Sequence, residues 1–598
     1  MLARRRLSGL LASTSLVRPL ATQGGDAGPE RGRDAPPPFP PFDPASTAAA
    51  FAHTSTGSLL RAWAVLSACR RPLVSHADGL LRTSRRLLGD RATDALLRST
   101  FFAHFCGGED GAAAAVTTAR LAGVGVGSIL DYAAEADLPP GDGGEGGEGE
   151  PVVPAAAAAV DPAAAAAALP AKAVGRTFPY GSEAACDAHA VTFRAAIAAA
   201  AGERGAAPQP GALPGFAALK VSALGDPRLL ARTSASLRAI AGLFGAFDGD
   251  GDGRVTRPEF ETVYASLFSD GTPSRLDDLF AHLDPDGTGA IDLLSWSRRV
   301  RLQDVPTIVR ACRAPGPLAA TALTPEELAG LEAMLGRLRG LAASACDSGV
   351  RLFVDAEQAA IQPAIAHAAR ALQRQFNGRD GPGYPAIFTT VQAYLKNAEA
   401  ALRLDLRRAA AEEWAWAGKV VRGAYLEHER AAAAASGQPC PVWESRAGTD
   451  ASYEACAGLA IDAALAGPTA GGIPGPEVML ATHNRASVQA GVDRVTAAGR
   501  APSASTPPPP VYFGQLLGMA DGLTFPLATS GWASFKYVPY GPVRETTAYL
   551  VRRARENAGA LGGAGGDVAS IEKELARRLA AALFVPTRVA QRTGGAWK

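Results

Sequence analysis

The residues best equipped for chemistry lie in Phe535–Asn557, FKYVPYGPVRETTAYLVRRAREN. Arg552 and Arg553 are adjacent, and Glu556 follows one helical turn later. Helix neighbours sit about 100° apart, so both guanidiniums lean toward one site and Glu556 reaches either. Two guanidiniums beside a strand end form a fork for a small carboxylate. Taken alone, the same residues read more plainly as a solvated basic face. A second set offers oxygen: Asp248-Gly-Asp250-Gly-Asp252-Gly253-Arg254-Val255-Thr256-Arg257-Pro258-Glu259. Oxygens at loop positions 1, 3 and 5, a glycine at 6, the Arg254 carbonyl at 7, an apolar residue at 8 and glutamate at 12 make the EF-hand pattern for Ca²⁺. The alternative is an acidic turn. A second loop, from Asp284 to Ser295, ends in a serine that cannot bind bidentately. It is expected to be weak or structural, pairing with the first through Val255 and Ile291.

Positioning such groups needs a scaffold, and the chain supplies short apolar runs at intervals. They are Val126–Tyr132, Phe216–Val221, Arg351–Asp355, Ala386–Gln392, Gly418–Arg422, Val478–Thr482, Pro510–Gln515 and Phe535–Val538. Alanine-rich helical stretches separate most of them, and a helix is expected from about Arg544 to Asn557. Repeated strand–helix units predict a parallel sheet. Eight units predict a closed, TIM-like (β/α)₈ barrel with chemistry at the strand C-termini. Those ends read Lys220, Asp355, Gln392, Arg422, Thr482–His483, Gln515 and Tyr537. An open doubly wound sheet is weaker, because no GxGxxG follows a strand. Singly, each residue has a plainer reading: Lys220 as a snorkelling lysine, Asp355 as a helix cap, His483 as a core histidine.

The chain has 598 residues, with 59 Lys+Arg against 58 Asp+Glu. That balance argues against nucleic acid as the main partner. Seven widely spaced cysteines without a CxxC fit reduced thiols rather than a disulfide framework or zinc site. Residues 1–25 carry Arg4, Arg5, Arg6 and Arg18 and no acid, the pattern of a mitochondrial transit peptide. Residues 26–56 read as a disordered Pro-rich linker, and 57–137 as an N-terminal helical arm with the first strand. Residues 138–172 read as a low-complexity insertion, 173–235 as the second barrel strand, and 236–302 as an inserted all-α EF-hand pair. The catalytic barrel follows over 303–560, with a tail over 561–598. No run of strongly apolar residues is long enough to span a membrane, which leaves surface association open.

Several stretches, in order, carry a family resemblance. TVQAYLKNAEAALRLDL, GKVVRGAYLEHER, ATHN, FGQLLGMADGLTFPL and KYVPYGPVRETTAYLVRRARENAG resemble proline dehydrogenase. LKVSALGDPRLL, RLFVDAEQAAIQPAI and FFAHFCGGE with GVGSILDYAAEAD resemble its earlier strands. The resemblance covers roughly 57–135 and 215–560 and implies a distorted form of the (β/α)₈ barrel and FAD-dependent oxidation of L-proline to Δ1-pyrroline-5-carboxylate. It also implies electron transfer to ubiquinone at the matrix side of the inner mitochondrial membrane. It assigns Arg552, Arg553 and Lys220 to the proline carboxylate, and Tyr537, Leu516 and Tyr425 to the pocket wall. Asp355 orients this shell, Glu556 pairs with an arginine, and Tyr549 lies one turn before Arg552. Lys419, an arginine in bacterial relatives, falls beside the flavin N5. Gln392 and Val421 match flavin contacts, and Thr482 and His483 fall near the pyrophosphate and ribose. Arg422 and Leu426 depart from bacterial members, which weakens their assignment. Hydroxyproline dehydrogenase is the neighbouring reading, against which Tyr537 speaks because that enzyme has a smaller residue there. A non-catalytic calcium-binding scaffold is the alternative of another class.

Overall fold

The computed structural model describes residues 39–69, 74, 76–133, 180–202, 213–468, 472–503, 508–559 and 564–583. The expected transit peptide and the whole 138–172 insertion lie outside them. Eight parallel strands close a barrel: β1 (Gly127–Tyr132), β2 (Gly215–Leu219), β5 (Val350–Val354), β6 (Ile387–Gln392), β7 (Ala417–Val421), β8 (Glu477–Ala481), β9 (Val511–Leu516) and β10 (Ser534–Tyr540). Around the barrel the order is β1-β10-β9-β8-β7-β6-β5-β2. Two short strands, β3 (Arg254–Thr256) and β4 (Ala290–Asp292), form a separate antiparallel pair outside it.

Strand parity sets what faces the axis. Side chains alternate with period two, and Ile129, Phe216, Ala218, Phe353, Phe388, Met479, Tyr512 and Phe535 share one buried cluster. Phe216 stacks on Phe353 at 4.9 Å and meets Phe535 edge-on at 5.1 Å. Only glycine fits at Gly127, where an added Cβ would lie 2.2 Å from the Phe535 ring. Below this layer Arg351 donates to both Glu477 oxygens, at 3.0 and 2.8 Å, and Tyr512 O–H donates to Glu477 Oε2 at 2.8 Å. These groups close the N-terminal end of the barrel.

The structure shifts several expected boundaries. β10 runs two residues past Val538, through Pro539. Pairing with β9 stops at Tyr537, so the proline interrupts no ladder bond on that side. The following helix starts at Thr547 rather than Arg544, because the chain turns through Gly541, with φ of 144°, and Pro542. The helix Pro227–Phe247 crosses residue 236, where the sequence reading begins an insertion. Its first turns bury Leu230 and Ala231 and its last bury Phe244 and Phe247, all in one contiguous core. Within 26–56, read as disordered, Thr47–Phe51 is a helix that buries Ala50 and Phe51. Ala564–Leu583, read as tail, is a helix with Ile571 buried and Val568 and Leu575 packed beside it. Those positions recur at helical spacing, a pattern masked in the sequence by the glycine run before it.

Candidate active site

The same parity that builds the barrel core carries polar groups to its C-terminal mouth. Two residues beyond the core layer, Ile129 leads to Asp131, Ala218 to Lys220, Phe353 to Asp355 and Phe535 to Tyr537. Lys419 and Val421, Ala481 and His483, and Leu516 follow on β7, β8 and β9 by the same count. Every one lines a single cavity of ≈ 930 Å³, together with Gln392, Tyr425, Thr482, Tyr549, Arg552 and Arg553. A larger groove of ≈ 2780 Å³ is bounded mainly by helix surfaces and holds none of the strand-end lysines.

Asp355 is the hub. Lys419 Nζ donates to its Oδ1 at 2.6 Å, and Tyr537 O–H donates to its Oδ2 at 2.8 Å. Lys220 Nζ stands 3.7 Å from Asp131 and 3.8 Å from Asp355, between two carboxylates. Burial pushes the Asp355 carboxyl up, but Lys419 and Lys220 pull harder, so it lies below the usual carboxylate range. Lys419 also sits over the Tyr537 ring, 5.2 Å from its centre, so one ammonium and one carboxylate fix that ring from two sides.

His483 accepts the Leu516 N–H at Nε2, 3.0 Å away. Burial first, then Lys536 and Arg553, lower its pKa to about 3. The ring is therefore neutral, with its proton on Nδ1. Thr482 and Arg422 have the opposite strand parity and engage each other: Arg422 donates to Thr482 Oγ1 at 2.7 Å, Asp450 at 2.6 Å and Ser487 at 3.0 Å. Ser487 lies in the first turn of the helix Arg485–Ala497, capped by Asn484. A guanidinium is thus held at a helix N-terminus on the cavity wall. Gln392 donates to the Glu357 carbonyl at 3.0 Å, and Tyr425 is buried just before the helix Leu426–Ser436.

Arg552 and Arg553 stand half-buried on the helix Thr547–Gly559, flanked by buried Leu550, Val551 and Ala554. Arg553 lies over the Tyr549 ring, 5.0 Å from its centre. The Glu556 side chain lies outside the described residues, so its expected pairing has no geometry here. Gln515, read as a strand-end group, is tied to Thr524 and the Thr482 carbonyl and is almost fully buried.

Sequence reasoning missed two contributors. Asp131 is 3% exposed at the end of β1; its position two residues past an inward Ile129 was the available signal. Asp567, on the helix Ala564–Leu583, accepts the Ala520 N–H at 2.9 Å. Burial raises its carboxyl to about 6. It braces a left-handed turn at Ala520, where φ is 53°, and closes one side of the cavity.

The inserted loops share a backbone and differ in their oxygens. In the first, carboxylate oxygens of Asp248, Asp250 and Asp252 lie within 4.8 Å of one another. Gly253 takes φ of 84°, and Asp248 Oδ1 is buried with no hydrogen bond. Glu259 accepts from Thr256 N–H at 2.8 Å and from its hydroxyl at 2.6 Å. In the second, Thr288 donates its N–H and hydroxyl to Asp284, both at 3.0 Å, and Arg407 donates to Asp292 at 2.7 Å. Val255 stands opposite Ile291 where β3 meets β4.

Comparison with known proteins identifies the family. The proline dehydrogenase family profile matches residues 220–563. Proline dehydrogenase 1, mitochondrial, from Homo sapiens is 34% identical over 569 residues, covering 91% of this chain and 90% of that one. Hydroxyproline dehydrogenase from Bos taurus is 36% identical over 291 residues, 48% of this chain and 60% of that one. Proline utilization A from Bdellovibrio bacteriovorus superposes with a TM-score of 0.49 and 15% identity, covering 86% of this chain and 38% of that one. By the family profile and by near full-length similarity to the human enzyme, the chain belongs to the proline dehydrogenase family.

Proposed function

We propose that the chain oxidises L-proline to Δ1-pyrroline-5-carboxylate with FAD and passes the electrons to ubiquinone at the matrix side of the inner mitochondrial membrane. The observation that carries this reading is the Lys220–Asp355–Lys419–Tyr537 cluster sharing one cavity with Arg552 and Arg553. The residues present fit a flavin dinucleotide. The cavity of ≈ 930 Å³ exceeds what proline alone requires. Its wall includes Arg422 at the start of the helix Arg485–Ala497, a setting that favours a pyrophosphate. Gln392, Lys419, Val421, Thr482 and His483 would hold the cofactor. When bound, FAD supplies the hydride acceptor.

The protein's own groups bind and orient. Arg552 and Arg553 offer a planar fork to the proline carboxylate, and Lys220 adds a point charge. Tyr537, Leu516 and Tyr425 wall the ring, fixing C5, which gives up the hydride as the ring nitrogen gives up a proton. Holding C5 in place converts binding energy into rate. Asp355 touches Lys419 and Tyr537 directly and draws Lys220 toward itself, so it positions three groups at once. Asp131 shares the hold on Lys220. Leu516, Tyr549 and the helix Ala564–Leu583 exclude water from one side. Turnover of L-proline with a soluble quinone analogue tests the reading. Preference for 4-hydroxyproline would move it to the hydroxyproline enzyme, and no turnover of either would leave a scaffold.

Location in the mitochondrion is supported by the basic, acid-free residues 1–25 and by the mitochondrial proline dehydrogenases of Homo sapiens and Bos taurus among its relatives. Among the described residues no helix is long and apolar enough to cross a membrane, which is compatible with peripheral attachment. The loop Asp248–Glu259 is read as a Ca²⁺ site using Asp248, Asp250, Asp252, the Arg254 carbonyl and Glu259. The buried, unbonded Asp248 Oδ1 supports it. The second loop spends its oxygens on Thr288 and Arg407 and is read as structural. Calorimetric titration should find one Ca²⁺ site, removed by Asp248→Ala. Heatless titration would leave the loop an acidic turn, and kinetics unchanged by EGTA would leave the insertion without a regulatory role.

A further inference from the structure

The helix Ala77–Leu97 is broken at Gly89, whose φ of 77° and ψ of 167° leave the helical region. Ser84 Oγ and Thr93 Oγ1 lie 3.0 Å apart across the break, nine residues apart in sequence. On a straight helix that separation spans about 13 Å. Arg85 also bridges to Asp90 and Asp94. The element is therefore a helical hairpin with its tip at Leu87–Leu88–Gly89. Arg544 anchors it through Asp90 and Asp94, at 2.9 and 2.8 Å.

The tip is apolar and basic. Leu87 is 79% exposed and Leu88 58% exposed. Leu87 is the most exposed large apolar side chain among the described residues. One exposed leucine needs no explanation, but two in succession at a protruding tip do. Arg82, Arg86 and Arg91 surround them, all exposed. None forms an ion pair among the described residues, whereas Arg85 takes up Asp90 and Asp94. The uncompensated charge at the tip is positive.

We propose that this hairpin tip is the membrane-docking element, with Leu87 and Leu88 entering the interfacial layer of an anionic phospholipid bilayer and Arg82, Arg86 and Arg91 meeting its headgroups. The proposal rests on the membrane attachment proposed above and deepens it by naming the surface. Charge complementarity selects anionic lipid, and a convex tip suits a deformable surface better than a protein pocket. The placement also serves the chemistry. Leu97 and Phe102 at the hairpin's base pack in the same cluster as Leu516 and Tyr549, which line the catalytic cavity. The hairpin's base is thus packed against a cavity wall, and docking of its tip would bring the bilayer, where a lipid-soluble electron acceptor resides, onto the same part of the molecule.

The test uses the full chain with vesicles of equal parts phosphatidylcholine and phosphatidylglycerol, and with phosphatidylcholine alone. Wild type should co-sediment with the anionic vesicles and bind the neutral ones weakly. Leu87→Ser/Leu88→Ser should lower partition about tenfold or more, and Arg82→Gln/Arg86→Gln/Arg91→Gln should erase the preference for anionic lipid. Turnover with a soluble dye should stay at the wild-type level in both, since none of these residues lines the cavity. Variants that bind anionic vesicles as tightly as wild type would overturn the proposal while leaving the enzyme reading intact. Wild type that ignores vesicles, or a leucine variant whose only change is loss of self-association, would overturn it too. Absence of proline turnover in wild type would instead sink the enzymatic reading, separately from the vesicle result.

Discussion

The two ends of the barrel are built from the same strands and do opposite work. β5 carries Arg351 at one end and leads to Asp355 at the other, four residues apart on one face. β8 pairs Glu477 below with His483 above, and β9 pairs Tyr512 with Leu516. At the lower end the charges close on each other: Arg351 is bidentate to Glu477, Tyr512 completes the acceptor, and Tyr384 covers the guanidinium at 4.9 Å. At the upper end Lys220, Lys419, Arg552 and Arg553 face Asp131 and Asp355 across a cavity. Buried charge alone therefore does not mark a site. What distinguishes the upper end is a surplus of cations beside space, the condition a carboxylate substrate and an electron-accepting cofactor would meet.

Breaking the lower end should cost stability and spare chemistry. Arg351→Met leaves Glu477 buried without its cation, and unfolding free energy should fall by about 3–5 kcal/mol. Denaturant melts measure it, and kcat/KM of the protein that remains folded should match wild type. Breaking the upper end should do the reverse. Asp355→Asn keeps the shape but releases Lys419 and Lys220 from their common carboxylate. We expect kcat/KM for proline to drop about 10²–10³-fold, with a smaller loss of stability than in Arg351→Met, because Lys220 keeps Asp131 and both lysines border the cavity. Smaller is the effect of Arg552→Lys or Arg553→Lys, which keeps charge and loses the fork. KM for proline should rise about tenfold with flavin retained, and a KM unchanged in both would return this helix to a solvated face.

Protonation gives the mildest probe. His483 has its pKa depressed from 6.5 to about 3. The unfolded chain binds this proton first as pH falls, so stability is fully present above about 6.5 and declines below it. Asp567 shifts the other way, from 3.8 to about 6. Its burial is tolerated below 3.8 and costs stability as pH rises toward 6. Hydrogen exchange of the helix Ala564–Leu583 against pH should show this loosening, and Asp567→Asn should remove it.

The eight strands were legible because short apolar runs between alanine-rich helices have few other readings. The lysines, Asp355 and Tyr537 were legible because they fall at strand ends, on one parity with the buried core residues below them. Asp131 escaped notice, since an aspartate closing a strand looks like a turn residue until Lys220 is found 3.7 Å away. Asp567 escaped because LGGAGG precedes it and hides an amphipathic helix. Residue 236, the expected start of the insertion, falls inside one helix that serves the barrel with its first half and the inserted loops with its second.

The proposed function requires the upper cavity to hold a flavin in reach of proline. Purified protein should carry a flavin absorption band, and anaerobic L-proline should bleach it in stoichiometric amount, with Asp355→Asn bleaching far more slowly. Purified protein without flavin, or a bound flavin that proline leaves oxidised, would contradict the account.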